Sequence, residues 1–102
     1  MKIKTGVKVS GIQPEMTLAL MVIHGILMSH GQELVITSVK EGPHSKRSRH
    51  YIGYAVDVRS RDIEPDSIPL VESQMQSALG AEYFVQFERN HFHIQFNGSN
   101  TT

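Results

Sequence analysis

The chain is almost continuously apolar from Met16 to Met28, interrupted at His24 and Gly25. That run is shorter than the roughly 20 residues a membrane span needs, so it reads as a helix buried in a protein core. Pro14 suits a first helical turn, where its missing N–H would be unpaired anyway, and Gly31 can supply a left-handed C-terminal cap. The first helix therefore spans about Glu15 to His30. Because Leu18, Leu20, Met21, Ile23, Ile26 and Leu27 surround it, it is expected in the centre of the core. Leu34 to Val39 is rich in β-branched residues and reads as a strand, whereas Glu41 to Arg49 is polar, contains Gly42 and Pro43, and reads as a surface loop.

From Tyr54 the chain alternates: Tyr54, Val56 and Val58 point one way, Ala55, Asp57 and Arg59 the other. Asp66 or Ser67 can cap a second helix that ends at Gly80, with Ile68, Val71, Met75 and Ala78 on its apolar face. Two further alternating runs, Tyr83–Glu88 and His91–Phe96, are separated only by Arg89 and Asn90, the length of a tight hairpin loop in which Asn tolerates a positive φ. Such a hairpin sets Glu88 opposite His91 and Gln86 opposite His93 on one polar face. Val85, Phe87, Phe92, Ile94 and Phe96 form the opposite, core-facing side. The expected fold is α+β: a small antiparallel sheet with a buried N-terminal helix and a second amphipathic helix, as one domain over residues 1–102.

Composition narrows the chemistry. Ten Lys and Arg balance ten Asp and Glu in 102 residues, so no global field favours nucleic acid or an anionic membrane. The absence of cysteine excludes disulfides, zinc ribbons, iron–sulfur clusters and thiol catalysis. Six histidines remain, and any metal or acid–base site must be built from His, Asp and Glu. Met1 to Ser10 alternates Lys with apolar residues and lacks the apolar block and cleavage pattern of a signal peptide, so synthesis in the cytoplasm is expected.

Two clusters carry candidate chemistry. His91-x-His93 on a strand projects two imidazoles from one face, a common way to present metal ligands; a polar sheet face is the alternative reading. Ser48, His50, Gly53, Ala55 and Asp57 form S-x-H-x-x-G-x-A-x-D. The odd spacing of His50 and Asp57 would set them on opposite faces of a uniform strand, but Gly53 allows the bend that brings them together. Two histidines and one aspartate leave a tetrahedral zinc with an open position for water, the catalytic arrangement.

These residues resemble the zinc metallopeptidase group that unites lysostaphin-type enzymes, D-alanyl-D-alanine peptidases and the hedgehog signalling domain. The resemblance covers about Leu34 to Phe96. The stretch PHSKRSRHYIGYAVDVRSRD, from Pro43 to Asp62, is most similar to the hedgehog N-terminal domain and to small phage-borne D-alanyl-D-alanine-type peptidases. It implies that His50, Asp57 and His93 bind one zinc ion per chain, with His91 beside the metal. It also implies that Glu88 is the general base and that His44 stabilises the tetrahedral intermediate or a substrate carboxylate. Carboxypeptidase-type relatives place the acid three residues before the ligand, which would make His91 the ligand instead; the intact His-x-His and the strand that follows favour His93. Ser48 either caps the loop or meets substrate, and Arg49, in a loop with Lys46 and Arg47, either contacts substrate or is solvated. His24 and His30 lie on the first helix at non-matching angles and receive no ligand role.

The resemblance implies a zinc metallopeptidase of D,D-carboxypeptidase or endopeptidase type. It would hydrolyse amide bonds of D-residue-containing peptidoglycan peptides with a zinc-activated water, after phage lysis or as part of a virion. The alternative is a non-catalytic zinc-stabilised binding module like the hedgehog domain, against which Glu88 counts. A nucleic-acid module built on the Lys46–Arg49 loop is disfavoured by the zero net charge.

Overall fold

The computed structural model describes residues 1–8, 14–41 and 54–98. The polar stretch that carries His44, Ser48, Arg49 and His50 lies outside the described residues, as does the bend expected at Gly53. The fold is α+β. Strands β1 (Lys2–Ile3), β2 (Val35–Glu41), β3 (Tyr54–Arg59), β4 (Tyr83–Glu88) and β5 (His91–Phe96) form one sheet in the order β1-β2-β3-β5-β4. All neighbours are antiparallel except β1 with β2. Helices α1 (Pro14–Ser29) and α2 (Ile68–Leu79) complete the structure. No helix among the described residues is long and apolar enough to cross a membrane.

The alternation read from the sequence determines which side of the sheet the helices cover. Val56, Val58, Phe92 and Ile94 are fully buried, and with Val85 they pack against Met16, Leu20, Ile23 and Leu27 of α1 and Val71 and Met75 of α2. Each fully buried side chain of this kind contributes about 1.5–3 kcal/mol. The partners of these strand positions, Asp57, Arg59, His91 and His93, project to the opposite side. Both helices thus share one face, and neither packs on the polar face of the sheet.

Helix α1 is not central, as its composition suggests, but covers one side of the sheet. Leu20, Ile23 and Leu27 are buried, whereas Leu18 and Met21 are each 62% exposed and Val22 and Met28 are also exposed. The reason is architectural: with helices in one layer, nothing among the described residues packs on the outer side of α1. Its C-terminus follows the sequence reading. Gly31 takes φ 80°, and Gln32 N–H bonds Leu27 C=O across it at 3.0 Å.

Helix α2 begins differently from expectation. Ser67 is the N-cap but makes no side-chain cap; a 3₁₀ turn over Pro65–Ser67 and a proline in the first turn set the entry. Val71 and Met75 are buried as expected, but Ala78 is exposed and Leu79 packs on the core in its place. Two polar side chains of α2 hold the outer edge of β4. Gln76 Nε2 donates to Gly80 C=O (3.1 Å) and Tyr83 C=O (2.8 Å), its Oε1 accepts from Val85 N–H (2.9 Å), and Glu72 Oε2 accepts from Phe87 N–H (2.6 Å).

Candidate metal centre

The hairpin forms in the register the spacing implies, with Glu88 opposite His91 and Gln86 opposite His93. The turn differs in one respect: the positive φ (52°) falls on Arg89 and not on Asn90. Asn90 N–H donates to Glu88 C=O at 2.5 Å, closing a three-residue turn about Arg89. Strand β3 then pairs with β5 so that Asp57 lies opposite His93 and Arg59 opposite His91. A register irregularity in β2 between Ile36 and Ser38 leaves Thr37 as the extra residue, and its Oγ1 donates to the Asp57 carbonyl at 3.2 Å. Bulges of this kind re-aim neighbouring side chains.

The result is a compact acid–imidazole cluster on the polar face. His93 Nδ1 lies 2.9 Å from Asp57 Oδ1. A carboxylate oxygen accepts, so Nδ1 donates in this contact, and Nε2 lies 3.3 Å from the amide oxygen of Gln95, whose NH₂ group donates to Asn97 Oδ1 at 2.8 Å. His91 Nε2 is 3.7 Å from Asp57 Oδ2 and 3.6 Å from Glu88 Oε2, while its Nδ1 is 3.0 Å from Asn90 Oδ1. Asp57 is the most enclosed member, its side chain 14% exposed, and Glu88 the most open at 47%. An enclosed carboxylate flanked by imidazoles suits a ligand or an orienting group; an open one suits proton exchange with substrate and solvent.

Of the residues singled out from the sequence, the structure brings together Asp57, Glu88, His91 and His93; His44, Ser48, Arg49 and His50 lie outside the described residues. His30 contacts Gln74 at 2.8 Å, tying α1 to α2. Among the described residues, no group of three or more His, Asp or Glu side chains is arranged to hold a metal ion.

The donors themselves suit zinc, which takes imidazole nitrogen and carboxylate oxygen at about 2.0–2.2 Å, so that two donors of one tetrahedral ion lie about 3.3 Å apart. Asp57 Oδ1 and His93 Nδ1, at 2.9 Å, are at hydrogen-bond distance; for both to hold one ion, Nδ1 would give up the proton it donates and the pair would open by a few tenths of an ångström. Asp57 Oδ2 and His91 Nε2, at 3.7 Å, would close by as much.

A feature not singled out from the sequence adjoins the cluster. Lys4, Thr37, Arg59, Arg61, Asn90 and His91 line a cleft of about 380 Å³. The alternation of β3 already sets Arg59 beside Asp57, but no sequence signal brings in Lys4: the two-residue parallel strand β1 does so, extended by Lys4 N–H to Ile36 C=O at 2.9 Å.

Compared with protein-family models, with curated proteins and with solved structures, the chain finds no match.

Proposed function

We propose that the chain is a zinc-dependent peptidase that hydrolyses D-residue-containing peptides of peptidoglycan, in the manner of the group its S-x-H-x-x-G-x-A-x-D and His-x-His motifs resemble. The observation that carries this reading is the convergence of His91 and His93 on the two carboxylate oxygens of Asp57, beside the open carboxylate of Glu88. His50, Asp57 and His93 would hold the ion. Zinc, when bound, polarises an amide carbonyl and lowers the pKa of a water to about 7.

The chain's own residues supply the rest. Glu88 accepts a proton from the attacking water and returns it to the leaving amine, the usual task of a positioned carboxylate. His91, within 4 Å of both Asp57 and Glu88, orients the base and faces the charge that develops on the carbonyl oxygen. Before an ion binds, the contact between Asp57 and Nδ1 orients the His93 ring.

The test combines metal content with turnover. Elemental analysis of the purified chain is expected to give one zinc per molecule, and peptidoglycan fragments are expected to release free amines in a chelator-sensitive, zinc-restored reaction. His93→Ala should lose the metal and His91→Ala keep it; the reverse outcome makes His91 the third ligand. Zinc content near zero that supplementation cannot raise overturns the proposal. Stoichiometric zinc without cleavage supports the binding-module reading instead.

A further inference from the structure

The outer surface of the helical layer takes no part in the chemistry proposed for the sheet. On α1, Leu18 and Met21 are each 62% exposed, Met28 54% and Val22 41%. Leu18, Met21, Gly25 and Met28 follow one another at intervals of three, four and three residues. On an α-helix that spacing makes one continuous stripe, opposite buried Ile23 and Leu27. Its side chains, with Val22, expose about 400 Å² of apolar surface, more than a monomeric protein ordinarily leaves in one patch. The stripe borders a groove of about 710 Å³ between the helices, lined by Val22, Gly25 and Ser29 of α1 and by Ser73, Ser77 and Ala78 of α2.

Charge restricts what can cover this surface. In the 16 residues of α1 and the 12 of α2 the charged side chains are Glu15, in the first turn of α1, and Glu72, which accepts from Phe87 N–H. In the whole chain 20% of residues are charged. Exposed methionine without charge is the composition of an interface core and not of a solvated helix. A charged partner finds no complement on such a face. Helices that lie on a bilayer surface carry Lys and Arg along the polar side, and neither helix contains one. A second copy of the chain meets neither obstacle, because the face is uncharged and the formal net charge of zero removes the repulsion that keeps highly charged proteins apart.

Gly25 points the same way. Glycine inside a helix is destabilising relative to alanine, yet one copy of the fold does not require it. Its φ is not positive, and a Cβ added there meets nothing within 4 Å among the described residues. The missing side chain is of use only to a backbone that approaches α1 closely from outside.

We propose that two copies of the chain associate through this face about a two-fold axis, α1 against α1, with Gly25 near the crossing and the exposed apolar side chains of each copy covered by the other. An isologous contact of this kind covers the same patch twice and closes at two copies. With the polar rim of the groove included, it buries about 1,100–1,200 Å² in total, the low end of specific interfaces, so the dimer is reversible. Asp57, His91 and His93 lie on the other face of the sheet, so both candidate metal centres point away from the contact. The association is independent of the proposed peptidase function.

Sedimentation equilibrium of the full chain at about 2–400 µM, a range that brackets the affinity of a small interface, is the test. The mass is expected to rise from 11.5 kDa towards twice that value, with a dissociation constant on the order of 10–100 µM. Met21→Lys/Met28→Lys sets like charges against the facing copy at positions that are already exposed. It should raise the dissociation constant at least about 100-fold with an unchanged circular dichroism spectrum. Gly25→Leu adds apolar surface and a better helix former but fills the crossing, and should weaken the dimer at least about tenfold. A parent chain that stays monomeric throughout overturns the proposal without any variant. So does a mass that grows past two copies, or a dimer indifferent to the double lysine variant. A Gly25→Leu dimer as tight as the parent's overturns the crossing at Gly25. A monomer that instead sediments with vesicles of phosphatidylcholine and phosphatidylglycerol gives the face to a bilayer and overturns the assignment to a second copy.

Discussion

Replacing Gln76 tests whether the α2 clamp on β4 holds the hairpin that carries Glu88, His91 and His93. The side chain makes three hydrogen bonds to backbone groups, two as donor through Nε2 and one as acceptor through Oε1. Gln76→Ala removes all three. At a net value of about 1 kcal/mol per bond, and with the Val85 N–H on a residue only 6% exposed and so poorly rehydrated, the loss is about 2–3 kcal/mol. In a domain of this size each kcal/mol moves the melting midpoint by about 4–8 °C, which corresponds to a fall of about 10–20 °C. Gln76→Glu is the sharper variant. It preserves the acceptor for Val85 but turns a carboxylate oxygen against the carbonyls of Gly80 and Tyr83, so at neutral pH it should be no better than alanine despite its matching shape. Urea unfolding followed by circular dichroism gives the free energies, and hydrogen exchange of the Val85 amide reports the local bond. An alanine variant within about 0.5 kcal/mol of the parent, or a glutamate variant of parental stability, would refute the clamp.

Three other outcomes are expected. Glu88→Gln should retain zinc and fold while lowering peptide turnover by about 10² or more, the contribution of a positioned general base; full activity with bound zinc would assign the base elsewhere. Arg89→Gly should raise stability by about 0.5 kcal/mol, because the left-handed φ of 52° costs a side-chain-bearing residue about 1–2 kcal/mol and glycine's extra unfolded-state entropy returns only part of that. A lower urea midpoint would show that the turn carries no strain. Tyr83 Oη donates to Glu15 C=O at 2.7 Å, so Tyr83→Phe should cost about 0.5–1.5 kcal/mol at pH 8. Burial first, then the carboxylates of Glu15 and Glu82, raise the Tyr83 pKa above its ordinary value of 10.0. The folded state therefore holds this proton more tightly than the unfolded state. That stabilisation is complete below pH 10 and is lost as pH rises through the folded value, so unfolding free energy should fall more steeply above pH 10 in the parent than in Tyr83→Phe.

The polar face of the hairpin is legible from residue parity alone. Two intervening residues fix which side chains oppose each other, and the alternation of β3 adds Asp57 and Arg59 to the same side. Helix α1 shows where such reasoning stops. A helix apolar all round has no pattern to say which side faces the sheet, and only the one-sided helical layer separates buried Ile23 from exposed Met21. The turn is a contest between two residues, and the short closure to Glu88 C=O assigns the positive φ to Arg89 although asparagine accepts it more readily. The Gln76 clamp and the entry of Lys4 into the cleft are contacts between elements distant in sequence, and no local period encodes them.

The clamp on β4 also bears on how a peptide can be recognised. Many domains bind extended ligands by letting them add a strand to a free sheet edge, with backbone hydrogen bonds supplying the affinity. Here the outward Tyr83 C=O and the N–H groups of Val85 and Phe87 are already engaged by Gln76 and Glu72. The β4 margin therefore offers no template for a partner strand, a property that also guards this edge against joining a copy of itself. A ligand that docked beside the hairpin would have to be read by its side chains, with its backbone unpaired along β4.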